Sequence, residues 1–168
     1  MNHELRIKYG TSRAANTYGY GLVSLYDGGK KVAACNGGGY DMRGTVFGEW
    51  LEKTYQERLV ALAKATKGAF ARANWNGELG DESNYVRLPA DRKVELYGGT
   101  YYENGSRESV HGRKGAQKYI AKPPHVTLDG GCGFESIYRI AKAIGLNVRT
   151  VDAGKKLDIL LIEDTKPG

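Results

Sequence analysis

The chain is short of most residues that announce a function. It has two cysteines, Cys35 and Cys132, 97 positions apart. That is too few for a disulfide framework, and a zinc site pairs its ligands roughly two to four residues apart. With only His3, His111 and His125 to help, neither a metal nor a cofactor is expected. The longest run of large aliphatic side chains is Ile159-Leu160-Leu161-Ile162, whereas a membrane span needs about 20 apolar residues. No membrane partner is expected. Met1-Asn2-His3-Glu4-Leu5-Arg6 lacks the apolar core of a secretory signal. A reducing cytoplasm is the expected setting.

Glycine and tyrosine are plentiful instead. The chain carries 24 glycines in 168 residues, about twice an average usage of roughly 7%. They cluster rather than recur every third residue, which excludes a collagen-like repeat. Twelve tyrosines stand against three phenylalanines and two tryptophans. The net charge of +6 favours an anionic partner, either nucleic acid or an acidic protein or nucleoprotein surface. The length suits a single domain over residues 1–168.

Hydrophobic periodicity supplies the elements. Leu5-Arg6-Ile7-Lys8-Tyr9 alternates and reads as a strand. Thr11 to Gly19 reads as a polar loop. Tyr20–Tyr26 and Lys31–Cys35 form a hairpin over Asp27-Gly28-Gly29-Lys30, where glycine supplies positive φ. Phe47, Leu51, Tyr55, Leu59 and Leu62 make one amphipathic helix, widened by Val46 and Trp50 and fading near Gly68. Residues 68–84 read as loop, with short strands at Tyr85–Leu88 and Val94–Tyr97 around Pro89. Gly98 to Pro124 is polar and glycine-interrupted, and is expected to be a long basic loop or insertion. His125–Leu128 is a short strand. A second helix follows, with Ile137, Ile140, Ala141 and Ile144 on one face and Gly145 as its terminator. Asn147–Val151 and Leu157–Ile162 close the chain as a hairpin. The expected class is α+β, with two main amphipathic helices packed on mostly antiparallel hairpins.

Two glycine loops each lead into a helix: Gly37-Gly38-Gly39-Tyr40-Asp41 and Gly131-Cys132-Gly133-Phe134-Glu135. Converging backbone N–H groups and a helix dipole suit such loops to phosphate, so a nucleotide- or phosphate-binding module is one alternative. Neither matches a phosphate-loop signature, and Asp41 and Glu135 would themselves occupy the dipole. The segment Asp129-Gly130-Gly131-Cys132-Gly133-Phe134-Glu135-Ser136-Ile137 resembles the cysteine motif of ovarian-tumour-type cysteine proteases. That resemblance implies a hydrolase with Cys132 as nucleophile and Asp129 as the motif aspartate. The family's base histidine follows its cysteine, whereas no histidine follows Cys132 here. His125 precedes it and would serve only in another chain order.

The leading expectation rests on charge. Between Ser106 and His125, Arg107, Arg113, Lys114, Lys118 and Lys122 face a single acid, Glu108. Tyr101, Tyr102 and Tyr119 lie within or beside this stretch. Cations for phosphates with aromatic rings for bases is the composition used on single strands. The reading is therefore a non-enzymatic binding protein that contacts nucleic acid or a nucleoprotein complex through this segment. In its glycine- and tyrosine-rich texture, with Gly-Gly-Gly-Tyr-Asp-Met-Arg-Gly before a helix, the chain resembles small accessory proteins of tailed bacteriophages. That resemblance implies an accessory or anti-defence role in the host cytoplasm.

Overall fold

A computed structural model of the chain describes residues 2–17, 21–36, 42–65, 87–88, 93–96, 99–102, 107–111, 117–121, 123–128 and 134–166. These fall into two compact units, Met1–Tyr55 with Leu128–Gly168, and Gln56–Thr127. The class is α+β.

The first unit is built on a five-stranded antiparallel sheet. β1 (His3–Tyr9), β2 (Leu22–Asp27), β3 (Lys30–Asn36), β10 (Leu146–Asp152) and β11 (Leu157–Asp164) lie in the order β10-β11-β1-β2-β3. The expected strand and both hairpins are present, and the β2–β3 turn closes on Gly28 and Gly29 at φ +60° and +85°. Alternation divides the sheet into two faces. Leu5, Ile7, Val23, Leu25, Val148, Leu160 and Ile162 are buried on one of them. The helices α2 (Met42–Thr54) and α4 (Phe134–Ala143) supply Val46, Phe47, Leu51, Ile137, Ile140 and Ala141 to the same core. Each fully buried aliphatic side chain contributes roughly 1.5–3 kcal/mol of transfer free energy, so this layer dominates the stability of the unit. At Gly48 a Cβ would lie 3.6 Å from Ile137, which shows how closely α2 approaches α4.

Gly145 terminates α4 as expected, at φ +93°. Its carbonyl accepts hydrogen bonds from the Thr165 N–H (2.8 Å) and hydroxyl (2.7 Å). A Cβ there would lie 2.6 Å from the exposed Lys166 side chain, which can turn aside, so it is the positive φ that demands glycine.

Two local expectations are corrected in this unit. The supposed loop at Thr11–Gly19 contains the short helix α1 (Arg13–Thr17). Ser12 Oγ accepts the Ala15 N–H at 3.4 Å, and Arg13 is held by carboxylates of the β10–β11 hairpin. The long amphipathic helix is two helices, α2 and α3 (Gln56–Ala65), divided at Tyr55. Spacings of four overshoot a 3.6-residue turn by about 40° each, so Leu59 lies about 120° around from Phe47 on one straight helix. The break at Tyr55 ends the α2 stripe before this drift accumulates. Tyr55 anchors it: its N–H donates to the Leu51 carbonyl (2.8 Å), its hydroxyl meets His3 Nε2 (3.1 Å), and its ring sets an edge against Trp50.

The second unit contains α3, where Leu59 and Ala63 are buried one turn apart. It also holds β4 (Arg87–Leu88), β5 (Lys93–Leu96), β6 (Gly99–Tyr102), β7 (Arg107–His111) and β8 (Gln117–Ala121), with β9 (His125–Leu128) continuing to the unit's border. The order β4-β5-β6-β9 makes one sheet, and β7 and β8 pair as a separate antiparallel ribbon. Short strands were expected on both sides of Pro89, and β4 and β5 are there. Residues 68–84 lie outside the described residues.

The long loop expected over 98–124 is corrected, because β6, β7 and β8 all lie inside it. A strand ladder joins backbone groups and does not require apolar side chains. Thr100, Tyr101, Tyr102, Val110, Tyr119 and Ile120, all strand-favouring types, lie within these strands. Low apolar content concealed them.

Gln56 plays an unusual part at the start of α3. Its Oε1 accepts the Val126 N–H at 2.6 Å, and its Nε2 donates to the Val126 carbonyl at 2.9 Å. One side-chain amide thus serves β9 as a neighbouring strand would. Gln56→Ala is expected to cost about 1–3 kcal/mol, the penalty for orphaning such groups. Amide exchange at Val126 should accelerate selectively, and unchanged exchange there would refute the role.

Candidate functional site

The face of the first unit's sheet opposite the helices is exposed and carries charge. Register aligns its residues in rows across the strands. Val151, Ile159, Arg6, Tyr26 and Lys31 form one row across all five strands. Leu157, Lys8, Ser24 and Ala34 form a second, and Arg149, Leu161 and Glu4 a third. Arg6, Lys8, Lys31 and Arg149 are exposed, and Tyr26 is half-buried among them. Lys8 Nζ lies 4.5 Å from the centre of the Tyr26 ring. Arg6 and Lys31 thus flank Tyr26 on the neighbouring strands and Lys8 lies over its ring, while Arg149 stands three strands away on the same face, with Leu157, Ile159, Leu161 and Val151 as aliphatic ground.

Two depressions open beside these rows. One, of about 720 Å³, lies at the end of the sheet among His3, Glu4, Tyr138, Asn147, Arg149, Leu161 and Glu163. The other, of about 350 Å³, is bounded by Glu4, Arg6, Lys8, Tyr26, Gly28 and Gly29.

A second polar constellation sits at the opposite end of β1. Asp158 is fully buried and accepts hydrogen bonds from the Tyr9 hydroxyl (2.7 Å) and Arg13 (2.6 Å). Arg13 reaches Asp152 with its other nitrogen at 2.6 Å, and Asp152 also accepts the Gly154 N–H. The hydrogen bond from Arg13, aided by that N–H, holds the Asp152 carboxyl below its usual range, and Asp152 in turn raises Arg13. The Asp152 carboxylate, held ionised by a guanidinium, is a poor proton acceptor. This cluster is a strut joining β1, α1 and the β10–β11 hairpin.

The residues singled out from the sequence are distributed as follows. Tyr101 and Tyr102 lie in β6, opposite Val94 and Lys93 of β5. Arg107 lies in β7 opposite Ala121, and Lys118 and Tyr119 lie in β8 opposite Val110 and Ser109, so the three share one ribbon. Arg113, Lys114 and Lys122 lie outside the described residues. So do Gly37, Gly38, Gly39, Asp129, Gly131, Cys132 and Gly133, and with them both glycine loops and the proposed nucleophile. His125 is at the start of β9, where its Nδ1 donates to the Pro123 carbonyl at 2.8 Å. Among the described residues no cluster of His, Cys, Asp and Glu would hold a metal, and no helix is long and apolar enough to cross a membrane.

Sequence reading passed over Arg6, Lys8, Tyr26 and Arg149. The available signal was the polar phase of the alternating strand, Glu4-Arg6-Lys8, which points away from the core by construction. Comparison with family models, curated proteins and solved structures returns no match to this chain.

Proposed function

We propose that this protein is a non-enzymatic nucleic-acid-binding protein, and that the open sheet face is its principal contact surface. The observation that carries this is the placement of exposed Arg6, Lys8 and Lys31 beside Tyr26, with exposed Arg149 farther along the same sheet face. Cations neutralise phosphates and release counterions, while an aromatic ring offers a face to any base. Arg107, Lys118 and Tyr119 on the β7–β8 ribbon support the same reading from the second unit. An accessory role in a phage-infected cell, and with it a cytoplasmic location, belongs to the same proposal and rests on sequence texture alone.

The test is binding of labelled single-stranded and duplex oligonucleotides at graded salt. The double variant Arg6→Glu/Lys8→Glu is expected to weaken binding at least tenfold at low salt, which corresponds to about 1.4 kcal/mol. It should also flatten the logarithmic salt dependence by about two, one for each phosphate that no longer meets a cation. Both positions are exposed, so the melting temperature should hardly move. Absence of binding by the wild type to any oligonucleotide at low salt overturns the proposal.

A further inference from the structure

We infer that the depression beside the β2–β3 turn is a base-reading pocket for a single nucleotide, selective for guanine; the inference rests on the nucleic-acid reading above. Its volume of about 350 Å³ is near the lower end of the roughly 300–1,000 Å³ found for small-ligand sites. That accommodates one base with its sugar.

The pocket is a product of register. The β1–β2 pairing ends at Leu5 and Asp27, and just beyond it Glu4 and Gly28 both border the depression, where Gly28 has no side chain to fill the space. The positive φ at Gly28 and Gly29 keeps glycine there, because other residues rarely adopt it. The Tyr26 ring, the two cations and the Glu4 carboxylate form the remaining walls.

Each wall has a partner on a nucleotide. The Tyr26 ring face is held by the Lys8 ammonium at 4.5 Å. An exposed cation–π contact is weaker than a base stack. An arriving base therefore displaces the ammonium, and the phosphate it brings gives Lys8 and Arg6 a full anionic partner. Glu4 is the informative residue, because a carboxylate has no place in a site for phosphate alone. It accepts N–H donors, and guanine presents N1–H and N2–H side by side, the paired geometry a carboxylate accepts bidentately. Thymine offers one N–H between two carbonyl oxygens, both of which Glu4 repels.

The experiment compares a thymidine heptamer with the same heptamer carrying one central guanine, both titrated into the full chain. Chemical shifts of the Arg6, Lys8, Gly28 and Gly29 amides report the location. The guanine-bearing strand is expected to bind at least tenfold more tightly, with its largest additional shifts at Gly28 and Gly29. Glu4→Gln should reduce that preference to within about threefold by removing the paired acceptor. Tyr26→Ala should weaken both strands about tenfold, and Tyr26→Phe should leave them unchanged, which separates the loss of stacking from a folding defect. Equal affinity of the wild type for the two heptamers, or a preference that survives Glu4→Gln, overturns the pocket. If the thymidine heptamer binds and remains sensitive to Arg6→Glu/Lys8→Glu in that case, the broader reading stands without it. If neither heptamer binds, the pocket falls, and the broader reading falls with it when duplex also fails to bind at low salt.

Discussion

Asp158→Ala is expected to destabilise the protein by about 3 kcal/mol, near the lower end of the cost of breaking a buried ion pair. The Asp158 side chain is 1% exposed and holds two donors, Tyr9 and Arg13. Removing it leaves the buried Tyr9 hydroxyl without this acceptor, which alone costs about 1–3 kcal/mol. Arg13 is 31% exposed, so water recovers part of its loss, and that keeps the total from the top of the range. For a chain of this size the melting temperature should fall by roughly 6–12 °C. Asp158→Asn retains an acceptor for Tyr9 and should lose less. Urea denaturation of the three proteins checks the order, and a loss below about 1 kcal/mol for alanine would mean that the strut carries little.

Acid acts on the same strut through Asp152. Its folded pKa is depressed by Arg13, so its contribution is complete above the unfolded value near 3.9. That contribution disappears as pH falls through the lower folded value. The hairpin tie should therefore persist through mildly acidic conditions.

Phe47→Ala is expected to cost about 3–5 kcal/mol, the range for deleting a buried aromatic ring. Phe47 is fully buried in α2, and its ring is stacked on Trp50 at 6.0 Å between centroids and 15° between planes. The substitution removes both the ring volume and that stack, and a packed core relaxes only partly into the space. Phe47→Leu refills most of the volume and should recover most of the stability while leaving Trp50 without its stacked neighbour. The two effects are separable: denaturation follows volume, and near-ultraviolet circular dichroism follows the Trp50 environment. Equal stability of the alanine variant and the wild type would place Phe47 outside the energetic core.

Elements governed by local chemistry were legible in the sequence. Alternation marked β1, Gly28-Gly29 marked the β2–β3 turn, and Gly145 marked the end of α4. Features that depend on distant partners were not. The split at Tyr55 relies on His3 and Trp50, and α1 relies on carboxylates more than a hundred residues away. The strands β6 to β8 escaped detection because pattern reading weighs apolar side chains, while these strands use mainly polar ones. The open sheet face was hidden for a related reason. Arg6 and Lys8 were visible as polar positions of a strand, but only register places Tyr26 across from Arg6, and only the fold brings Glu4 and Gly28 to one depression. A surface site assembled by register has no contiguous signature.

The pairing of His3 with Ile162 also has a temporal side. β1 leaves the ribosome well before β11, one of its two partners in the sheet, because about 155 residues separate the paired positions. At synthesis rates of about 5–20 residues per second, β1 waits roughly 8–30 s for β11. Throughout that interval one edge of the future sheet centre has no strand to cover it, while residues 56–127 are still being produced. The charged alternation Glu4-Arg6-Lys8 then has an earlier use than ligand contact, since charges on a bare strand edge discourage pairing with neighbouring nascent chains.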